Sequence, residues 1–436
     1  MAVAVSDRGA SVPPCKCPTA DLPPELLDEI IRHLRDDKRT LNACSLVARS
    51  WLPSSRRYLF TRFELRVDTF CHFFMFAADM VYAEVVSRYR HLLAFLSAHP
   101  DITSYVRELS IQTDFQFGLD SRPELVAIVC SILTHLTNLH ILEVDSLIPH
   151  WDQLSWRFRK SVHDALQLPS LVEFHLSCES VSQSSLDALL SDAYSLKTFT
   201  LSRVSIREDD EAMCDGWEAM QHKAQLDALH LTLDRPRYDW FLEKHCPLDL
   251  CEVRELVIGV HLDRPDDLNA FHLVDALGAS LEHLELDVSH SANSHDVSLP
   301  ALDLSNTPNL RVLSLTNSHG PMLIEPDSWL VTFLSSLYWS KPLACVLSPG
   351  DIEPSPCAVE EVEISFEAHH LDTSKSWSSL EAALCVPALQ ALKRVYIVVM
   401  YDNFTRKTAM QFNPTFPALG SRGIAVHVTH RRATYH

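Results

Sequence analysis

LTNLHILEV, residues 136–144, contains the pattern on which the fold turns. Leu139, Leu142 and Val144 place an apolar residue, two free positions, a second apolar residue, one free position and a third. The last two apolar positions have the two-residue period of a half-buried strand. LPSLVEFHL (168–176) and TPNLRVLSL (307–315) repeat both the triplet and its turn-like lead-in. In chain order the triplets begin at Val106, Leu139, Leu171, Leu196, Leu226, Val253, Leu281, Leu310, Val359 and Leu392. One such triplet means little; recurrence about every thirty residues does.

Between the triplets lie helical candidates: SQSSLDALLSDA (182–193), DDLNAFHLVDALGAS (266–280) and SWLVTFLSSLYW (328–339). Strand and helix therefore alternate. Each unit is too small to bury its apolar face alone, so stacked neighbours must supply the core. The fold class is α/β, and the reading is a strand/helix solenoid over 106–430. An ordinary α/β domain with a parallel sheet alternates in the same way. Only nine glycines occur, and no Gly-rich phosphate loop follows any strand, which favours the solenoid over a nucleotide-binding sheet. The long step between Leu310 and Val359 is either an insertion or an unseen repeat.

Composition narrows the function. Acids outnumber Lys plus Arg by 57 to 37, a formal charge of −20, which argues against nucleic-acid binding. The start, MAVAVSDRGASVPP, lacks a basic n-region and does not read as a secretory signal. The most apolar stretch, 70–86, is broken by His72, Asp79 and Glu84, so no membrane partner is expected. Twelve scattered cysteines without regular spacing suit reduced thiols in the cytoplasm, the nucleus or both. No G-x-G-x-x-G, G-x-x-x-x-G-K-[ST] or G-x-S-x-G occurs. Cys15/Cys17, Cys246/Cys251 and His290/His295 lack metal-ligand spacing, so no metal, cofactor or catalytic residue is assigned.

Ahead of the repeats the chain is different. Residues 1–20, with Pro13, Pro14 and Pro18, read as a disordered tail. A helical segment comes next over 21–65, then a helical linker or cap over 66–105. DLPPELLDEIIRHLRDDKRTLNACSLVARSW, Asp21 to Trp51, is the densest pattern in the chain. Asp21 is placed to cap its first helix, with Pro23 and Pro24 in the first turn. Leu26, Leu27, Ile30, Ile31 and Leu34 give that helix one apolar stripe. Pro53, just past Trp51, is expected to kink the helix there.

Leu22-Pro23, the paired aliphatics, Leu41 and Cys44, then Leu46-Val47 and Trp51 resemble, in order and spacing, an F-box. This is the adaptor-binding motif of substrate receptors in SCF-type cullin–RING ubiquitin ligases. The resemblance covers about forty residues and implies a three-helix F-box followed by leucine-rich-repeat-like units. It implies a non-catalytic receptor that binds the adaptor subunit, and through it cullin, and holds a target protein on the repeats. Leu22, Pro23, Ile30, Ile31, Leu41, Leu46 and Val47 would face the adaptor, with Trp51 at the helix junction. The position between the second and third apolar residues of each triplet would face the target: Ser110, Glu143, His175, Thr200, His230, Val257, Glu285, Ser314, Glu363 and Tyr396. The repeats are irregular, and most lack the Asn or Cys that follows the third apolar residue in regular families. A repeat scaffold whose helical segment only caps the solenoid is the alternative.

Overall fold

The computed structural model describes residues 22–67, 78–113, 123–146, 150–208, 223–235, 237–261, 269–289, 304, 306–317, 329–337, 359–368, 377–402, 405–412 and 414–432. The expected tail, Asp21, Cys15/Cys17, His290/His295 and most of 320–358 lie outside them. Three helices open the chain: α1 (Pro24–Arg32), α2 (Lys38–Val47) and α3 (Leu52–Leu59). They lead directly into the strand β1 (Arg62–Val67), and β2 (Glu108–Thr113), β3 (Ile141–Ser146) and β4 (Glu173–Ser177) come after it.

Among the described residues thirteen strands form one sheet, every ladder parallel, and all but the short Ser180–Ser182 strand lie in a path that follows chain order from β1 to Ala425–Arg432. Right-handed crossovers between strands added in one direction all fall on the same side of a sheet. Helices such as Pro123–His135, Trp156–Leu166, Gln183–Leu190, Ala270–Leu277 and Trp329–Ser336 make those crossovers.

The triplets explain the register. Their second apolar residues pair strand to strand, Leu109 with Leu142, Leu142 with Phe174, Phe174 with Phe199, and onward to Val395 beside Val426. Their third residues form a second row running from Ile111 to Ile397 and Val428. Both rows join the buried helix residues in one continuous core. A one-residue slip would carry a whole strand's apolar set to the other face, so the rows fix the pairing. Gly278, at φ 54°, ends the helix Ala270–Leu277, where a left-handed conformation suits glycine.

Three expectations change. The sheet begins at Arg62, not near 106: Phe60, Phe63 and Leu65 carry the triplet directly after α3, with Phe63 beside Leu109 and Leu65 beside Ile111. Of the helical linker expected over 66–105, Arg66 and Val67 belong to β1, residues 68–77 lie outside the described ones, and Ala78–Ala98 and Pro100–Thr103 are helical. The strand Val312–Asn317 pairs directly with Glu361–Glu367, so no further strand enters the sheet within the long step. That step is an insertion in one repeat. No helix among the described residues is long and apolar enough to cross a membrane.

Leu284 sits fully buried in the middle of the second-residue row. Leu284→Ala is expected to lower the unfolding free energy by about 2–5 kcal/mol, read by urea denaturation, because the neighbouring strands cannot collapse onto the void.

Candidate functional sites: an exposed apolar stripe and an open sheet face

The apolar residues of α1 face in two directions. Leu27 and Ile31 point inward and form a small core with Leu41 and Cys44 of α2, against which Leu34, Trp51, Tyr58 and Leu59 pack. Leu22, Leu26 and Ile30 recur every fourth position on the opposite side and are exposed. On α2, Leu46 is 81% and Val47 62% exposed. The single-stripe expectation is therefore corrected: paired aliphatics at consecutive positions divide between a core and a surface. Ile31 and Leu41, expected at an adaptor interface, are 0% exposed and hold the helices together instead. Leu26, left out of that set, belongs to the exposed one; its spacing from Leu22 and Ile30 was the available signal.

Local chemistry sets where Leu46 and Val47 lie. Asp37 caps α2, accepting hydrogen bonds from the backbone N–H of Arg39 (3.1 Å) and Thr40 (3.0 Å) and from the Thr40 hydroxyl (2.6 Å). That hydroxyl bond holds the Asp37 carboxyl below its usual range. Pro23 is the N-cap residue of α1, and Pro24 occupies its first turn. Pro53 likewise opens α3 after Trp51, where a missing N–H costs nothing, so it starts a helix and kinks none. Pro23 is exposed beside Leu22, and Trp51 is half-buried at the helix junction.

Five of the ten exposed large apolar side chains among the described residues fall between Leu22 and Val47. Monomeric surfaces scatter such residues, so this concentration makes the stretch a candidate contact surface.

The second surface is the side of the sheet away from the crossovers. The ten positions chosen from the triplets form one unbroken row, Ser110 to Tyr396, extended by Glu64 and His427 at its ends. Glu143, His175, His230, Val257, Glu285, Glu363 and Tyr396 are half-buried, and Ser110, Thr200 and Ser314 are sunk between their longer neighbours. His175 Nε2 lies 2.6 Å from Glu173 Oε1, a bond that keeps the Glu173 carboxyl below its usual range. Thr200 Oγ1 is 3.4 Å from His230 Nδ1, and Glu255 Oε1 is 3.3 Å from its Nε2. A bulge at Arg203, at φ 57°, brings its guanidinium to 3.6 Å from Asp145 and within 3.3 Å of the Ser177 hydroxyl.

No protein-family model matches the chain, and no curated protein does. Among solved structures it is similar to one described as a crystal structure of the Rad7 and Elc1 complex in yeast, at 14% identity over 92% of this chain and 94% of that one, with a TM-score of 0.32. A TM-score of that size says nothing about what this chain does.

Burial pushes the His230 pKa below its usual 6.5 despite the nearby Glu255. Between 6.5 and the lowered folded value the unfolded chain takes up a proton that the folded chain resists. His230 thus contributes stability in full above 6.5, and that contribution falls as pH drops through this window. Urea denaturation at about pH 7.5 and about pH 5.5 is expected to show a smaller loss of stability for His230→Gln than for wild type.

Proposed function

We propose that the chain is a non-catalytic substrate receptor of an SCF-type cullin–RING ubiquitin ligase, working in the cytoplasm or nucleus. The helical segment from Asp21 to Phe60 acts as the F-box that docks to the adaptor subunit, and the repeats hold a target protein. The mechanism is proximity: a target tethered beside a ubiquitin-carrying enzyme presents its lysines at high local concentration, while other subunits make the bond.

The observation that supports this most is the exposed set Leu22, Leu26, Ile30, Leu46 and Val47, on a helical unit whose own core is already closed by Ile31 and Leu41. Fully burying each such side chain is worth about 1.5–3 kcal/mol, so a few anchors suffice for a stable interface after the cost of association. A helical unit serving only to cap the sheet would gain nothing by keeping Leu46 and Val47 in water.

Co-expression with the SCF adaptor subunit, followed by size-exclusion chromatography, tests the reading. Wild type is expected to co-elute with the adaptor. Leu46→Asp with Val47→Asp is expected to abolish co-elution with little change in thermal stability, since both side chains are already solvated. Ile31→Asp is expected to unfold the helical unit. If wild type elutes alone and folded, the chain is a repeat scaffold with a helical cap.

A further inference from the structure

The open face of the sheet is electrostatically one-sided. Its middle row carries Glu64, Glu143, Glu285 and Glu363 and no Lys or Arg. The row before it adds Glu108, Glu173, Glu255 and Glu361 against Arg62 and Arg394. The row after it adds Asp145 and Asp287 against Arg66, with Arg203 reaching Asp145 from its bulge. The arginines of the first strand are taken up by Glu64, at 3.4 Å from Arg62 and 3.1 Å from Arg66, and Arg394 is paired with Glu361. On the strands between, Glu143 has Arg62 at 3.9 Å and Asp145 has Arg203 at 3.6 Å, while Glu173, Glu255, Glu285 and Glu363 face imidazoles and hydroxyls.

One observation independent of the charge count points to something that binds there. Ser110 lies in the middle row between Glu64 and Glu143, 2% exposed, and its hydroxyl has no hydrogen-bond partner among the described residues. Leu109 and Ile111 occupy the core rows, so Ser110 is aimed at the open face. A buried hydroxyl without a partner is costly, and a ligand crossing the row would supply one. Six strands further along the row, burial raises the Glu285 pKa although Thr316 donates to its Oε1 at 3.2 Å and His283 lies nearby, and Asp287 and Glu363 add to the rise. A cation placed there would relieve that repulsion.

We infer that this face binds an extended polypeptide segment rich in Lys or Arg, laid across the strands. The inference deepens the receptor reading and rests on it for the identification of that segment as part of a target. Charge complementarity favours this occupant: nucleic acid and anionic membranes would meet carboxylates, and the half-buried polar row offers no apolar groove. Seven strand spacings separate Glu143 from Glu363, roughly 34 Å along the sheet, the reach of about ten residues of extended chain. Such a contact sets specificity and association rate and weakens with salt.

The test uses the full chain and two fluorescently labelled peptides of about twelve residues, one alternating Lys and Ser and the other Glu and Ser, read by anisotropy at physiological salt. The Lys peptide is expected to bind and the Glu peptide not. Glu143→Lys, Glu285→Lys and Glu363→Lys together are expected to weaken Lys-peptide binding at least about tenfold, and the corresponding Gln triple to weaken it less. Asp101→Lys, Asp164→Lys and Glu252→Lys, three exposed acids outside the open-face rows, change net charge equally and are expected to shift binding by less than about twofold. Equal loss in both Lys triples, equal binding of the two peptides, or no binding by wild type overturns the inference. Circular dichroism confirms that each variant is folded, and the Gln triple decides the matter if the open-face Lys triple is not. Adaptor co-elution of the open-face triple is expected to persist, so a failure of this surface stays distinct from a failure of the receptor reading.

Discussion

Everything in this molecule depends on two rows of apolar side chains that run unbroken across the strands of the sheet. Neither row exists within one repeat. A single strand and its helix expose too much apolar surface to stand alone, and only stacking at the register of Leu109, Leu142 and Phe174 buries it. The same constraint produces the open face of the sheet. Because alternate residues of a strand point to opposite faces, fixing the apolar rows inward fixes the intervening row outward. The unbroken row from Glu64 to His427, polar at every position but Val257, is therefore a consequence of core packing, and its longer side chains can vary without disturbing the core.

The helical unit at the N-terminus obeys a different logic. Its core is small, built on Leu27, Ile31, Leu41 and Cys44. It is joined to the sheet without a spacer: α3 ends at Leu59, Phe60 contacts Phe63 of β1 and Phe95 of the helix Ala78–Ala98, and Thr61 accepts backbone hydrogen bonds from Arg107 and Glu108. An adaptor on the exposed residues of α1 and α2 would thus be coupled to the sheet through a short, packed connection, which suits a receptor that must hold its target at a set distance.

Much of this was legible in the sequence, for definite reasons. The triplets predicted strand positions and row membership because a two-residue period leaves no choice of face. The first strand in the path was legible but overlooked, since Phe60, Phe63 and Leu65 carry the triplet inside the helical segment. The last was missed because Gly423 stands where the first apolar residue before Val426 and Val428 would be. The insertion after Asn317 was unreadable as either loop or repeat until direct pairing with Glu361–Glu367 decided it. At the N-terminus, pattern alone marked Leu26, Leu27, Ile30 and Ile31 as apolar but not which pair lies inside. That choice depends on where α2 and α3 pack, a tertiary fact that helical periodicity does not contain. The Asp37 cap and the bulge at Arg203 are likewise local devices whose partners are visible only once the chain has folded.

The central claim is that the apolar surface of α1 and α2 is a docking site separate from the open sheet face. Amide hydrogen exchange on the full chain, with and without the SCF adaptor subunit, tests it most directly. The account predicts added protection confined to residues 22–47, with the strands from β2 onward unchanged. No added protection in 22–47, or protection centred on the strands, would contradict it.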